Sequence, residues 1–171
     1  MNDFTVDDVI DVLADYIEPI AGICQQAQAN RVPMQKGQFC ILTPLKPKRL
    51  STTREVKQDT GDPQTSSMGY TEVRQFDIQV DIYGEGAADR ATALETVFSS
   101  DYTYQKIKSI DSRLAPLYSS DAFNSAMINA ESQYQERWTI TLSLQAHITV
   151  SFPQDYFDKA EITTQQVDGR Q

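Results

Sequence analysis

The stretch Trp138-Thr139-Ile140-Thr141-Leu142-Ser143-Leu144-Gln145-Ala146-His147-Ile148-Thr149-Val150-Ser151-Phe152 decides the fold class. Trp138, Ile140, Leu142, Leu144, Ala146, Ile148, Val150 and Phe152 alternate with polar residues throughout. A period of two over this length predicts one long strand, with one face on a core and the other in water. Pro153 ends it, because proline has no N–H to give to a ladder. Downstream, residues 159–167 are expected to add an edge strand, and residues 168–171 to fray.

Upstream, Phe76, Ile78, Val80 and Ile82 alternate with Gln75, Asp77, Gln79, Asp81 and Tyr83, which predicts a second strand stopped by Gly84. Ala87, Ala91, Leu94, Val97 and Phe98 then share a helical stripe, and a further helical turn is expected over Tyr102 to Ile110. Residues 113–131 read as irregular. Near the N-terminus, Thr5 and Asp8 form a capping-box-like start to a helix carrying Val6, Val9, Ile10, Leu13 and Ile17, which Pro19 should kink or end at about Glu18. Residues 22–28 fit either a last helical turn or a short strand. Phe39-Cys40-Ile41-Leu42, bounded by Gly37 and Pro44, reads as a strand buried on both faces. Residues 48–57 have moderate β character, and Gln58–Ser67, with Gly61 and Pro63, reads as a mobile hairpin tip. The expected fold is α+β, a mixed and mostly antiparallel β-sheet with helices packed on one side and a protruding β-hairpin arm. It forms a single domain over 1–171, with the arm and its loop at 46–70.

The 171 residues and 19.3 kDa suit one core, without disulfide or metal staples. The acidic N-terminus lacks the features of a secretory signal, and no run approaches the roughly 18 apolar residues of a membrane helix. Cys24 and Cys40 show no CxxC spacing and read as two reduced, buried thiols, so synthesis in the cytosol is expected. The net charge of −9 excludes a general duplex-DNA binder, since phosphate affinity comes from Lys and Arg.

That charge is unevenly spread. Residues 1–30 hold Asp3, Asp7, Asp8, Asp11, Asp15 and Glu18 with no Lys or Arg, a charge of −6. Residues 31–57 hold Arg31, Lys36, Lys46, Lys48, Arg49, Arg54 and Lys57 against Glu55, a charge of +6. The remaining 114 residues carry −9. A basic segment beside an acidic helix suits a head-to-tail contact between identical subunits, which closes into a ring when the rotation permits. A solvated basic hairpin without a partner is the plainer alternative. The candidate interface residues are Lys46, Lys48, Arg49, Arg54 and Lys57 on one side and Asp7, Asp8, Asp11 and Asp15 on the other.

Chemistry is sparse. Nucleotide, P-loop, zincin and nucleophile-elbow motifs are all missing. Gly84-Glu85-Gly86 reads as a strand-to-helix turn, because Glu85 would repel phosphate. His147 is the sole histidine and lies on the polar strand face, and Asp77 and Asp81 sit four apart on another. Such spacing is common on wet strand faces, so no catalytic, cofactor or metal residue is assigned.

Several stretches in order resemble the bacteriophage neck or tail terminator proteins. They are Asn30-Arg31-Val32-Pro33, Thr43-Pro44, Arg49-Leu50-Ser51-Thr52 and Gln79-Val80-Asp81-Ile82-Tyr83-Gly84 leading into the Ala87/Ala91 helix. Pro116-Leu117-Tyr118 and Tyr134-Gln135-Glu136-Arg137-Trp138 complete the set, which spans residues 30–138. Departures occur at Met34-Gln35 and in the Gln/Ala-rich Cys24–Ala29. The resemblance implies a lambda U-type fold and a structural role without catalytic residues. The expected role is a virion ring, commonly a hexamer, that caps the tail tube and joins it to the head connector. The expected partners are other copies of the chain, the tube protein, connector proteins and passing DNA. Competing readings are a head–tail stopper or tube-like subunit, an acidic DNA mimic or inhibitor, and a hydrolase using Asp77, Asp81 or His147.

Overall fold

The computed structural model describes residues 4–28, 35–62, 65–128 and 134–153. The expected edge strand at 159–167 and the tail lie outside them. Helix α1 spans Val6–Ala21 and opens with the anticipated capping box. The Thr5 N–H donates to Asp8 Oδ2 at 2.6 Å, and the Asp8 N–H donates to Thr5 Oγ1 at 3.2 Å. These bonds satisfy donors that every helix start leaves free. Thr5→Ala is therefore expected to lower stability by about 1 kcal/mol. The backbone and hydroxyl bonds from Thr5 hold the Asp8 carboxyl below its ordinary value of 3.8. A depressed carboxyl stabilises the fold above its unfolded-state value and loses that contribution as pH falls through the folded-state value. Urea unfolding should accordingly show the gap between wild type and Thr5→Ala narrowing below about pH 3.8.

Pro19 does not end α1 where its chemistry suggests. The helix continues to Ala21, and the Gly22 N–H closes the last turn on the Glu18 carbonyl at 3.1 Å. Proline removes one N–H close to the helix end, while continuation buries Ala21 completely. The ambiguous 22–28 segment resolves as strand β1, Ile23–Gln26, parallel to β2, Phe39–Pro44. Phe39, Cys40 and Leu42 are buried as expected, whereas Ile41 is only half-buried.

The frame of the sheet is the antiparallel pair β5, Ser67–Tyr83, and β10, Arg137–Pro153. They stay in register from Ser67 opposite Pro153 to Tyr83 opposite Arg137. β5 begins well before its clean alternation. Its first half contains Gly69, Glu72 and Arg74 and is strand because ladders on both edges hold its backbone. Along one edge of β5 lie β2, then β3 (Lys48–Arg49), then β4 (Arg54–Gln58), all antiparallel to it. Beyond β10 lie β6 (Leu114–Ser119) and β7 (Phe123–Asn124). β8 (Met127–Ile128) and β9 (Tyr134–Gln135) form a separate small ribbon. The path is β1-β2-β5-β10-β6, an α+β sheet that is mostly antiparallel.

The segment 113–131 was expected to be irregular, yet it supplies β6, β7 and β8. Pro116 masks β6 in the sequence, but β6 lies at the end of the strand path and its register on β10 shifts between Ser143 and Leu144. Edges and bulges are where a strand tolerates a residue without an N–H. Helices α2 (Ala87–Phe98) and α3 (Asp101–Ile110) pack with α1 over one sheet face, and α3 is a full ten-residue helix rather than a turn. Val9, Leu13 and Ile17 of α1, Leu94 and Phe98 of α2, and Ile107 of α3 meet Ile78, Val80, Ile82, Ile140, Leu142 and Leu144 in the core. The opposite face departs from expectation. Gln75, Asp81, Thr139 and Ser143 are polar yet buried.

Candidate functional site

The basic candidates lie together on the β3–β4 edge. Lys46, Lys48, Arg49, Arg54 and Lys57 are exposed, as is every residue of β4. Arg49 is committed within the chain, its Nε lying 3.0 Å from Glu72 Oε2. The Glu72 carboxylate also pairs with Arg74. Among the described residues, no acid forms an ion pair with Lys46, Lys48, Arg54 or Lys57. On α1, Asp7, Asp11 and Asp15 are exposed, while Asp8 is committed to the cap. Asp7 accepts from the Gln26 amide at 3.1 Å. Among the described residues, no ion pair joins the basic candidates to these acids.

A different set of residues comes together where β5 passes into α2. Asp81, only 4% exposed, pairs with Arg137 Nη2 at 2.9 Å. It also accepts from the Thr139 hydroxyl at 2.6 Å and the Gln79 amide at 2.9 Å. The cross-strand register dictates this cluster, since Thr139 lies opposite Asp81 and Arg137 opposite Tyr83. The Arg137 guanidinium sits 5.6 Å from the centroid of the Tyr83 ring, which stacks on Phe39 at 4.6 Å. Burial pushes the Tyr83 hydroxyl pKa up, against the opposing pull of Arg137. Next in the chain, Gly84 has φ +94° and donates its N–H to the Glu136 carbonyl at 3.2 Å. The Glu136 carboxylate accepts the Ala88 N–H at 3.3 Å, at the start of α2. An anion there suits the positive end of the helix dipole.

Arg90 is the residue that sequence reasoning missed. Its guanidinium donates to the carbonyls of Ala21 at 2.6 Å and Tyr83 at 2.8 Å, tying the end of α1 to the end of β5. Burial lowers its pKa from the ordinary guanidinium value, against the pull of the nearby Cys40 and Glu136 groups. A lone Arg in a first helical turn gives no warning of such a role, because its acceptors come from distant chain segments.

Asp77, Asp81 and His147 lie at separate register positions of the β5–β10 pair. Asp77 accepts from Ser143 Oγ at 2.6 Å and from the Gln75 amide at 2.7 Å, and that same amide donates to the Tyr118 hydroxyl at 2.8 Å. His147 is exposed and pairs in register with Val73, away from Ser143 opposite Asp77 and Thr139 opposite Asp81. Among the described residues, no group of three His, Cys, Asp or Glu side chains is placed to hold a metal ion. No helix among them is long and apolar enough to cross a membrane.

Thr43 and Pro44 end β2, opposite Gln79 and Ile78, while Pro116, Leu117 and Tyr118 lie in β6 and Trp138 packs against the core. Tyr134 on β9 is 84% exposed. Asn30, Arg31 and Pro33 lie outside the described residues. Residues 7–168 match the family model described as phage neck terminator protein. The chain belongs to the phage neck terminator family. No curated protein matches it. Membership makes it a component of the virion neck or tail with a structural role. Within this neck terminator, Asp81, Tyr83, Gly84, Glu136 and Arg137 form one structural joint.

Proposed function

We propose that this chain is the repeating subunit of a ring, in the simplest case a homohexamer, that caps the tail tube and joins it to the head connector. The tube protein and connector proteins are then its neighbours, and DNA passes through without specific contacts. The subunit is made in the host cytoplasm and works without a cofactor or catalysis. One observation carries this reading beyond the family: an exposed basic edge and an exposed acidic helix face with no ion pair between them. Heterologous contact between copies would satisfy both sets at once. Exposed Tyr118, Phe123, Ile128 and Tyr134 add apolar surface of the kind that seats on a neighbour. The net acidity also suits a lumen that must not retain phosphates.

Arg54→Glu with Lys57→Glu tests the contact without disturbing the Arg49–Glu72 pair. Subunit affinity is expected to fall about tenfold or more near 0.15 M salt, with the monomer still folded by circular dichroism. Adding Asp11→Lys and Asp15→Lys to the same chain should restore assembly, because the signs again oppose. Sedimentation velocity and negative-stain imaging read both results. Unchanged rings in the first variant would remove the basic edge from the interface. A chain that stays monomeric even beside tail tubes would overturn the ring.

A further inference from the structure

Two thiols that are unrelated by sequence spacing lie side by side in the fold. In the parallel ladder of β1 with β2, Cys24 is the Cα partner of Cys40. Aligned residues on parallel neighbours direct their side chains to the same face. Both Sγ atoms lie 3.6 Å from one acceptor, the Gly22 carbonyl oxygen. The neighbouring Cys40 thiol, followed by burial and the nearby Glu18 charge, pushes the Cys24 thiol well above its ordinary value. Cys24 is half-buried and within reach of solvent, whereas Cys40 is fully buried behind it. Around the pair, the Glu18 carboxylate accepts the Cys24 N–H, and Arg90 donates to the Ala21 carbonyl.

We propose that Cys24 and Cys40 form a paired-thiol modification site that reacts with a small disulfide of the glutathione class and closes to an internal β1–β2 disulfide. The Cys24 thiolate attacks one sulfur of oxidised glutathione, whose S–S bond breaks. One glutathione leaves as thiolate and takes up a proton. Cys40, on losing its own proton, attacks Cys24 Sγ and expels the second glutathione. Two protein thiols lose two electrons and one oxidised glutathione gains them, so the exchange balances. Neighbouring strands lie roughly 4.8 Å apart, within the Cα range that disulfides span, so closure needs side-chain rotation and little backbone movement. Cys24 is the entry thiol because Cys40 cannot meet a molecule of that size.

The test uses the full chain with a large excess of oxidised glutathione over days at about pH 8.5, because the raised Cys24 thiol leaves only a small thiolate fraction to react. It ends with an acid quench, thiol titration after unfolding and non-reducing peptide mapping. Both thiols should disappear, with a Cys24–Cys40 crosslink and no retained glutathione. Cys40→Ser should trap a stable glutathione adduct on Cys24, and Cys24→Ser should leave folded Cys40 unmodified. The wild-type map decides alone if either variant fails to fold. Two surviving thiols, glutathione retained on wild-type Cys24, or disulfide-linked dimers would each overturn the proposal.

Discussion

Asp81→Ala is expected to lower stability by about 3–5 kcal/mol, a fall of roughly 10–15 °C in Tm for a chain this size. The alanine strands the Arg137 guanidinium, whose side chain is 26% exposed, and removes one acceptor of the buried Thr139 hydroxyl. The cost comes mainly from leaving the Arg137 cation without its carboxylate, since the Thr139 hydroxyl keeps Ser125 Oγ at 2.6 Å. Asp81→Asn should cost less, because its amide oxygen still accepts from Thr139. Arg137→Ala introduced into the Asp81→Ala chain should cost clearly less than in wild type, since the stranded cation is then gone. Thermal and urea unfolding of the four chains of this cycle check the claim. A loss below about 1 kcal/mol for Asp81→Ala would mean that the cluster is solvated and contributes little.

Gly84→Ala should be comparably damaging for a different reason. A Cβ at this position would lie 2.4 Å from the Gly37 carbonyl oxygen and 3.0 Å from its carbon. Both are backbone atoms and cannot swing aside. The φ of +94° adds conformational strain for any residue with a side chain. Together these predict a loss of about 2–5 kcal/mol, through separation of the segment before β2 from the β5–α2 turn. Gly86 supplies the control. It has φ +74° but nothing within 4 Å of its Cβ position, so Gly86→Ala should cost only about 1–2 kcal/mol. Equal losses at the two glycines in urea titrations would show that strain alone, and not the collision, makes Gly84 necessary.

Legibility in the sequence followed locality. The α1 cap involves residues three apart, so Thr5 and Asp8 announced it. The alternation around Ile140 to Ile148 announced β10 because burial of one face leaves a direct mark on composition. The same rule misread the other face. Asp81, Thr139 and Ser143 look like wet residues by type, yet they are buried with every polar atom engaged across strands. Composition records the chemistry of a side chain, whereas its solvation depends on what the opposing strand presents. β6 was missed for a related reason, since its Pro116 is tolerated only through its position on β10.

The candidate interface was legible as charge and not as geometry. The −6 and +6 segments could be read directly, but not that Arg49 would be taken by Glu72 while Arg54 and Lys57 form no ion pair among the described residues. By itself the sequence determined the α+β class, the long central strand, the opening helix and the resemblance that the family match bears out. Those features rest on periodicity, capping and ordered motifs, all properties of neighbouring residues. Tertiary structure alone decided the Asp81–Arg137 joint, the reach of Arg90, the collision waiting at Gly84 and the meeting of Cys24 with Cys40. Each depends on strand register or close approach between segments far apart in the chain. Those distances are set only when the whole sheet closes its hydrogen bonds and the helices bury its apolar face.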